Sequence, residues 1–230
     1  MNFSFNIQPN INGKTVVVDP RGVIKNEGGV VTYKLESAIL ECGSWSFINA
    51  CIITRHHVPL DKIVIGKFCS IAQNVRFIGA NNHHYDWISS YPVELIINNQ
   101  NNINLHENQP RNISVGNDVW IGDGAVIMPG VHLSDGCVVG TNSLITKSTE
   151  PYGVYGGNPA KLIKKRFSED IVAQLLKIQW WKFNNAAIKN NTNIIFSMPT
   201  IETLELLINL NEERVLEEDD VNNIVIANLA

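Results

Sequence analysis

Residues 115–150 read VGNDVW IGDGAV IMPGVH LSDGCV VGTNSL ITKSTE, six hexads in unbroken register. The first position of each is aliphatic: Val115, Ile121, Ile127, Leu133, Val139 and Ile145. The fifth is small or β-branched: Val119, Ala125, Val131, Cys137, Ser143 and Thr149. Turn-forming pairs fall between them, among them Asn117-Asp118, Asp123-Gly124, Pro129-Gly130, Asp135-Gly136 and Thr141-Asn142. A strand alone alternates every two residues, and a helix recurs every three or four. A strict six therefore means a short strand, a turn and another short strand. Three hexads close one coil of a three-sided prism, first-position aliphatics stack inside it, and each strand pairs in parallel with the next coil. The expected fold is mainly β, a left-handed parallel β-helix with an extended loop and a C-terminal α-helical tail.

The same pattern extends upstream through Ile65-Gly66-Lys67-Phe68-Cys69-Ser70 and Ile71-Ala72-Gln73-Asn74-Val75-Arg76. A weaker tract places Cys42-Gly43 and Ile48 in register, and residues before about Val30 read as extended chain of unassigned pairing. Residues 79–112 break the register. An excursion of that length in a compact domain is usually functional. It contains Asn82-His83-His84-Tyr85-Asp86-Trp87 and an Asn- and Gln-rich run from Asn98 to Gln109 that suits a solvated loop. The repeat fades after Thr149 into Gly153-Val154-Tyr155-Gly156-Gly157-Asn158-Pro159-Ala160. A helix follows, with Ser168 as N-cap, Glu169 and Asp170 in its first turn, and Ile171, Leu175 and Ile178 as its apolar stripe. A second begins at Thr200, with Leu204, Leu207 and Ile208 on one side. The expected division is a β-helix domain over residues 1–165 and a helical extension over 166–230. That extension would cap an open end of the prism, whose strand edges are otherwise unpaired, or pack on a neighbouring subunit.

Composition narrows the function. Eighteen basic against twenty-two acidic residues give a net charge of −4, with no basic patch suited to nucleic acid. No secretory leader and no apolar run long enough to span a bilayer is present, so a cytoplasmic protein without membrane attachment is expected. Four cysteines show no metal-ligand spacing and read as buried thiols. Taken as residues alone, His83 is either a loop histidine with a structural hydrogen bond or a base, and Asp86 either orients a histidine or closes a turn. Trp120 falls in an outward slot, and an exposed tryptophan calls for a cover.

Four segments together resemble the hexapeptide-repeat xenobiotic acetyltransferases, which include streptogramin A and hexapeptide-type chloramphenicol acetyltransferases. They are Ile65 to Ile71; His83-His84-Tyr85-Asp86-Trp87 through Pro92, similar to the family's H-R-x-[DE]-W loop; Ile113 to Gly130; and Gly156-Gly157-Asn158-Pro159-Ala160-Lys161 through Trp180-Trp181. His84 stands where arginine is usual, Val93 where an aromatic is common, and the first sixty residues match poorly. The resemblance implies acetyl transfer from acetyl-CoA to a hydroxyl of a small acceptor, without metal. It implies His83 as general base with Asp86 beside it, and His84, Tyr85 and Trp87 near the acceptor. It also implies contacts to the cofactor at Trp120, Gly122, Gly140, Gly157, Asn158, Pro159, Ala160, Lys161 and Arg166, in a homotrimer whose sites form between prisms. A sugar or polysaccharide unit fits the polar, altered acceptor region and is the favoured acceptor; an antibiotic, which fits the family name, is the alternative. Two other classes share the prism: γ-type carbonic anhydrases and non-catalytic trimeric scaffolds. The first needs three converging imidazoles, and His56, His57, His83, His84, His106 and His132 lack the spacing it uses. The second leaves the catalytic-loop and cofactor-loop motifs unexplained.

Overall fold

The computed structural model describes residues 2–9, 23–27, 30–34, 38–43, 45–54, 61–79, 85–91, 111–212 and 224–225. The repeat winds as the hexads require. Trp120 pairs with Val138 and Ile121 with Val139, eighteen residues apart, so three hexads make each coil. One face stacks Phe47, Ser70, Trp120, Val138 and Val154 in parallel register. A second stacks Ile52, Arg76, Val126 and Leu144, and a third Val64, Ser114 and His132. Every first- and fifth-position residue of the six hexads is buried, from Ile121 and Leu133 at 0% exposure to Thr149 at 7%. Ile48, Ile65, Ile71, Val75 and Phe77 continue this column through the earlier coils.

The N-terminal region is a meander rather than further coil. Val23–Glu27, Val30–Lys34 and Ala38–Gly43 pair antiparallel, and Ala38–Gly43 then joins Asp61–Ile65 in parallel. Asn2–Pro9 runs antiparallel to Phe47–Thr54. Stacked coils leave little room where turns cross. A Cβ on Gly66 would stand 2.4 Å from the carbonyl oxygen of Gly116, a backbone atom held by its own rung. Gly66→Ala is therefore expected to lower stability by about 1–3 kcal/mol, the range for overpacking, measurable as a shift in the urea midpoint at unchanged slope.

One prism corner organises the rest of the chain. Trp45, Phe68, Asp118, Gly136 and Tyr152 all have positive φ and occupy the same turn on successive coils. The N–H groups of Asp118, Gly136 and Tyr152 donate to the carbonyls of Lys67, Asn117 and Asp135. The helical tail lies along this corner. It comprises α1 (Glu169–Ile178), a 3-10 turn (Trp180–Lys182), α2 (Asn185–Asn190), α3 (Thr192–Ile195) and α4 (Ile201–Glu212). Trp180 packs on Phe68 with ring centroids 4.6 Å apart, and Trp45 Nε1 donates to Asn185 Oδ1 at 3.0 Å. The tail's own core joins Val172, Leu175, Ile178, Phe183, Leu204 and Leu207 to Tyr152 of the prism. So the tail covers a corner, where the sequence suggested an open end or a neighbouring subunit. The reason is that this corner carries aromatic and charged side chains in slots that elsewhere hold Asn or Gly. Ser168 occupies the N-cap of α1 but makes no side-chain capping bond.

Candidate active site

Trp120 stands on the outward side of the first face, 56% exposed, between Ser70 and Val138. Two residues along the chain from this row, glycines form a column. The Gly122 N–H donates to the Val139 carbonyl and the Gly140 N–H to the Tyr155 carbonyl, each at 2.8 Å. A Cβ on Gly122 would meet Thr141 N at 2.7 Å, and one on Gly140 would meet Tyr155 O at 3.3 Å. Gly122 is buried, so the packing of the coil itself accounts for the missing side chain there.

The segment after Thr149 read as a loop is a hairpin. Gly153–Gly157 pairs in parallel with Val138–Val139 and antiparallel with Ala160–Lys165. Its tip, Gly157, Asn158 and Pro159, is exposed, and the Gly157 N–H donates to Ser143 Oγ at 3.3 Å. Trp120, Gly140 and the hairpin tip thus share one face, with Lys161 and Lys164 exposed on the returning strand.

Arg166 is drawn elsewhere. Its Nη1 reaches Asp118 Oδ2 at 3.2 Å and donates to the Gly136 carbonyl at 2.7 Å, with the guanidinium 5.2 Å from the Tyr152 and Phe167 ring centres. Burial pushes the Asp118 carboxyl above its ordinary range, Arg166 pulls it back, and Asp135 adds to the rise. Arg166 thus ties the tail to the prism corner; the resemblance implied a cofactor contact for it. Arg166→Met is expected to cost roughly 1–3 kcal/mol through the lost charged hydrogen bonds, measurable by urea unfolding. Lys165 is likewise engaged, with Glu169 and, at 3.1 Å, Glu150.

His83 and His84 lie outside the described residues. Asp86 falls in a turn within residues 85–91, where Tyr85 is 89% exposed and Trp87 56% exposed. The excursion departs beyond the second-face strand Arg76–Ile78 and rejoins at the third-face strand Ile113–Val115. Its return is anchored by Asn112 Oδ1, which accepts from the Lys62 N–H at 2.9 Å. The Cys69 and Cys137 thiols are poor nucleophiles, since burial pushes them up to about 12 and about 11. Ser114 Oγ and His132 Nδ1 lie 2.7 Å apart on the third face, a pair the sequence analysis missed. Their spacing of one full coil was the available signal. Among the described residues no helix is long and apolar enough to cross a membrane, and no group of three metal-ligating side chains converges.

Comparison with known proteins decides the family. The model for the bacterial transferase hexapeptide (six repeats) matches residues 112–147. A probable macrolide acetyltransferase from Lysinibacillus sphaericus is 43% identical over 157 residues, which cover 65% of this chain and 87% of that protein. The chain belongs to the hexapeptide-repeat xenobiotic acetyltransferases. A chloramphenicol acetyltransferase from Klebsiella aerogenes is 43% identical over 134 residues, 56% of this chain and 64% of its own length. A virginiamycin A acetyltransferase from Staphylococcus aureus is 37% identical over 151 residues, 64% of this chain and 68% of its own length. As a member of this xenobiotic acetyltransferase family the chain is an acyltransferase, with acetyl-CoA as its donor. The family's repeat also gives the prism its left-handed winding.

Proposed function

We propose that this protein moves an acetyl group from acetyl-CoA to a hydroxyl of a small acceptor by direct transfer in a ternary complex. The observation that carries the reading is the alignment of the exposed Trp120 with the hairpin tip on one prism face. An aromatic wall beside exposed backbone suits an extended pantetheine arm, and Lys161 and Lys164 suit its phosphates. His83 serves as base. Neutral imidazole takes the hydroxyl proton, the oxygen attacks the acetyl carbonyl, the carbon–sulfur bond breaks, and the imidazolium returns the proton to the thiolate. The excursion bearing His83 is rooted between the second and third faces, while Trp120 lies on the first. Such separation supports a homotrimer in which one subunit's loop meets its neighbour's cofactor face.

Residues 85–91 expose Tyr85, Trp87, Ile88 and Tyr91. That apolar surface, together with relatives named for three antibiotic classes, favours a bulky, largely apolar alcohol over the sugar that the polar loop composition suggested. The deciding assay measures CoA release with chloramphenicol, a streptogramin A, a macrolide, maltose and nucleotide sugars. Saturable turnover with one antibiotic, and double-reciprocal lines that intersect, is the expected result. Parallel lines with a trapped acetyl-enzyme would overturn the mechanism, and turnover only with sugars would overturn the acceptor.

A further inference from the structure

Two of the buried fifth-position slots hold a hydroxyl, Ser143 and Thr149. A hydroxyl moved from water into an apolar column is costly unless it is hydrogen-bonded. Thr149 Oγ1 accepts from the Ser134 N–H at 2.8 Å, a bond that stays within the prism. Ser143 is 1% exposed, yet its Oγ accepts from the N–H of Gly157 at 3.3 Å, fourteen residues on and at the exposed tip of the hairpin. One inward-facing side chain therefore reaches out to the segment that lies beside Trp120 on the same face.

The hairpin has few other ties to the coil at that end. Its parallel pairing sets Val154 against Val138 and Tyr155 against Val139, and the Gly140 N–H closes the ladder on the Tyr155 carbonyl. From Gly156 the strand pairs with its own return, Gly156 with Lys161 and Gly157 with Ala160. Gly157 then turns with a φ of +101°, in the region that favours glycine. Ser143 Oγ sits beneath this bend, 3.4 Å from where a Cβ on Gly140 would stand and 3.9 Å from one on Gly156. Its own backbone is fixed, since the Val126 N–H donates to the Ser143 carbonyl at 2.8 Å. We infer that Ser143 is a positioning residue for acetyl-CoA, its hydroxyl holding the Gly157-Asn158-Pro159 tip in the shape that walls the cofactor. This rests on the reading that the tip and Trp120 line the donor site. Ser143 acts through the tip: ordering it in advance spares that cost on binding, so the bond acts on affinity and not on the chemical step.

The test uses the full-length protein with acetyl-CoA. Ser143→Ala is expected to raise Kd and KM for acetyl-CoA about three- to tenfold, the value of one neutral hydrogen bond, with kcat at saturating donor within about twofold of wild type. Ser143→Cys keeps the volume in a slot type that Cys137 already fills, offers only a weak acceptor, and should behave like Ser143→Ala. Ser143→Thr keeps the hydroxyl, as Thr149 does, and should restore wild-type Kd. Hydrogen exchange at the Gly157 N–H should quicken in the alanine and cysteine variants while the Val126 N–H stays protected. A merely structural serine would lower stability and leave KM alone. Asn158→Ala, at the tip itself, tests the underlying reading separately. If it weakens acetyl-CoA while the alanine and cysteine variants bind normally, the tip lines the site but Ser143 does not position it. If none of the three changes Kd, the tip is no cofactor wall and both readings fall. Equal losses in the alanine and threonine variants, or a fall in kcat without a rise in KM, also overturn the role of Ser143.

Discussion

Replacing His83 by alanine is expected to lower kcat for acetyl transfer by about 10²- to 10⁴-fold, the usual contribution of a positioned general base. An alcohol at neutral pH holds its proton far too tightly to attack a thioester unaided. Removal of the imidazole therefore leaves binding of acetyl-CoA intact and strips out the step that makes the nucleophile. KM for acetyl-CoA should change little, because the imidazole acts on the acceptor hydroxyl whereas the proposed cofactor contacts are Trp120 and the hairpin tip. The wild-type rate should climb with pH as a general-base imidazole loses its proton, and the variant should lose that limb. His84→Ala is the internal comparison, with a smaller effect that depends on the acceptor. Retention of near-normal turnover by folded His83→Ala, or transfer of the pH limb to His84, would remove His83 from the mechanism.

How far such reasoning reaches from sequence differs between parts of the molecule. The coil was legible because period six is incompatible with an isolated strand or helix, and all twelve inward positions of residues 115–150 are buried. Trp120 was legible as outward for the same reason. The hairpin at 153–165 was not, because Gly156-Gly157-Asn158-Pro159 reads as a loop whether or not its flanks pair. The meander at 23–43 was hidden by the absence of a hexad signal, and pairing between distant strands leaves no local period. The docking site of the tail was hidden for a different reason. Trp45, Phe68 and Tyr152 look like misplaced aromatics in turn slots until the coils are stacked, and only then do they align as one surface. Of the site itself, composition and spacing placed the loop and the exposed tryptophan. The role of His83 came from resemblance, since a lone histidine in a loop carries no signature of catalysis.

That stacked surface also fixes the largest expected stability effect. Trp181→Ala should destabilise the protein by about 3–5 kcal/mol, the range for a fully buried tryptophan cut to alanine. Trp181 is 2% exposed and meets Trp180 edge-on with centroids 6.3 Å apart; Trp180 in turn packs on Phe68 of the prism. The two rings work differently. Trp181 is buried, and Trp180 carries the contact to the corner, so truncating Trp181 leaves a cavity beside the residue that holds the tail in place. Trp180→Ala, half-buried at the start, should cost less overall yet free the tail from Phe68. Urea unfolding at fixed protein concentration, needed because assembly shifts apparent stability, distinguishes them. A falling midpoint at constant slope means a cavity in a unit that still melts as one. An early transition confined to tail signals, with the prism melting later, means that the corner contact rather than the buried ring joins the two. Since whole domains are stable by only about 5–15 kcal/mol, a loss below about 1 kcal/mol for Trp181→Ala would show that the tail contributes little to the fold it covers.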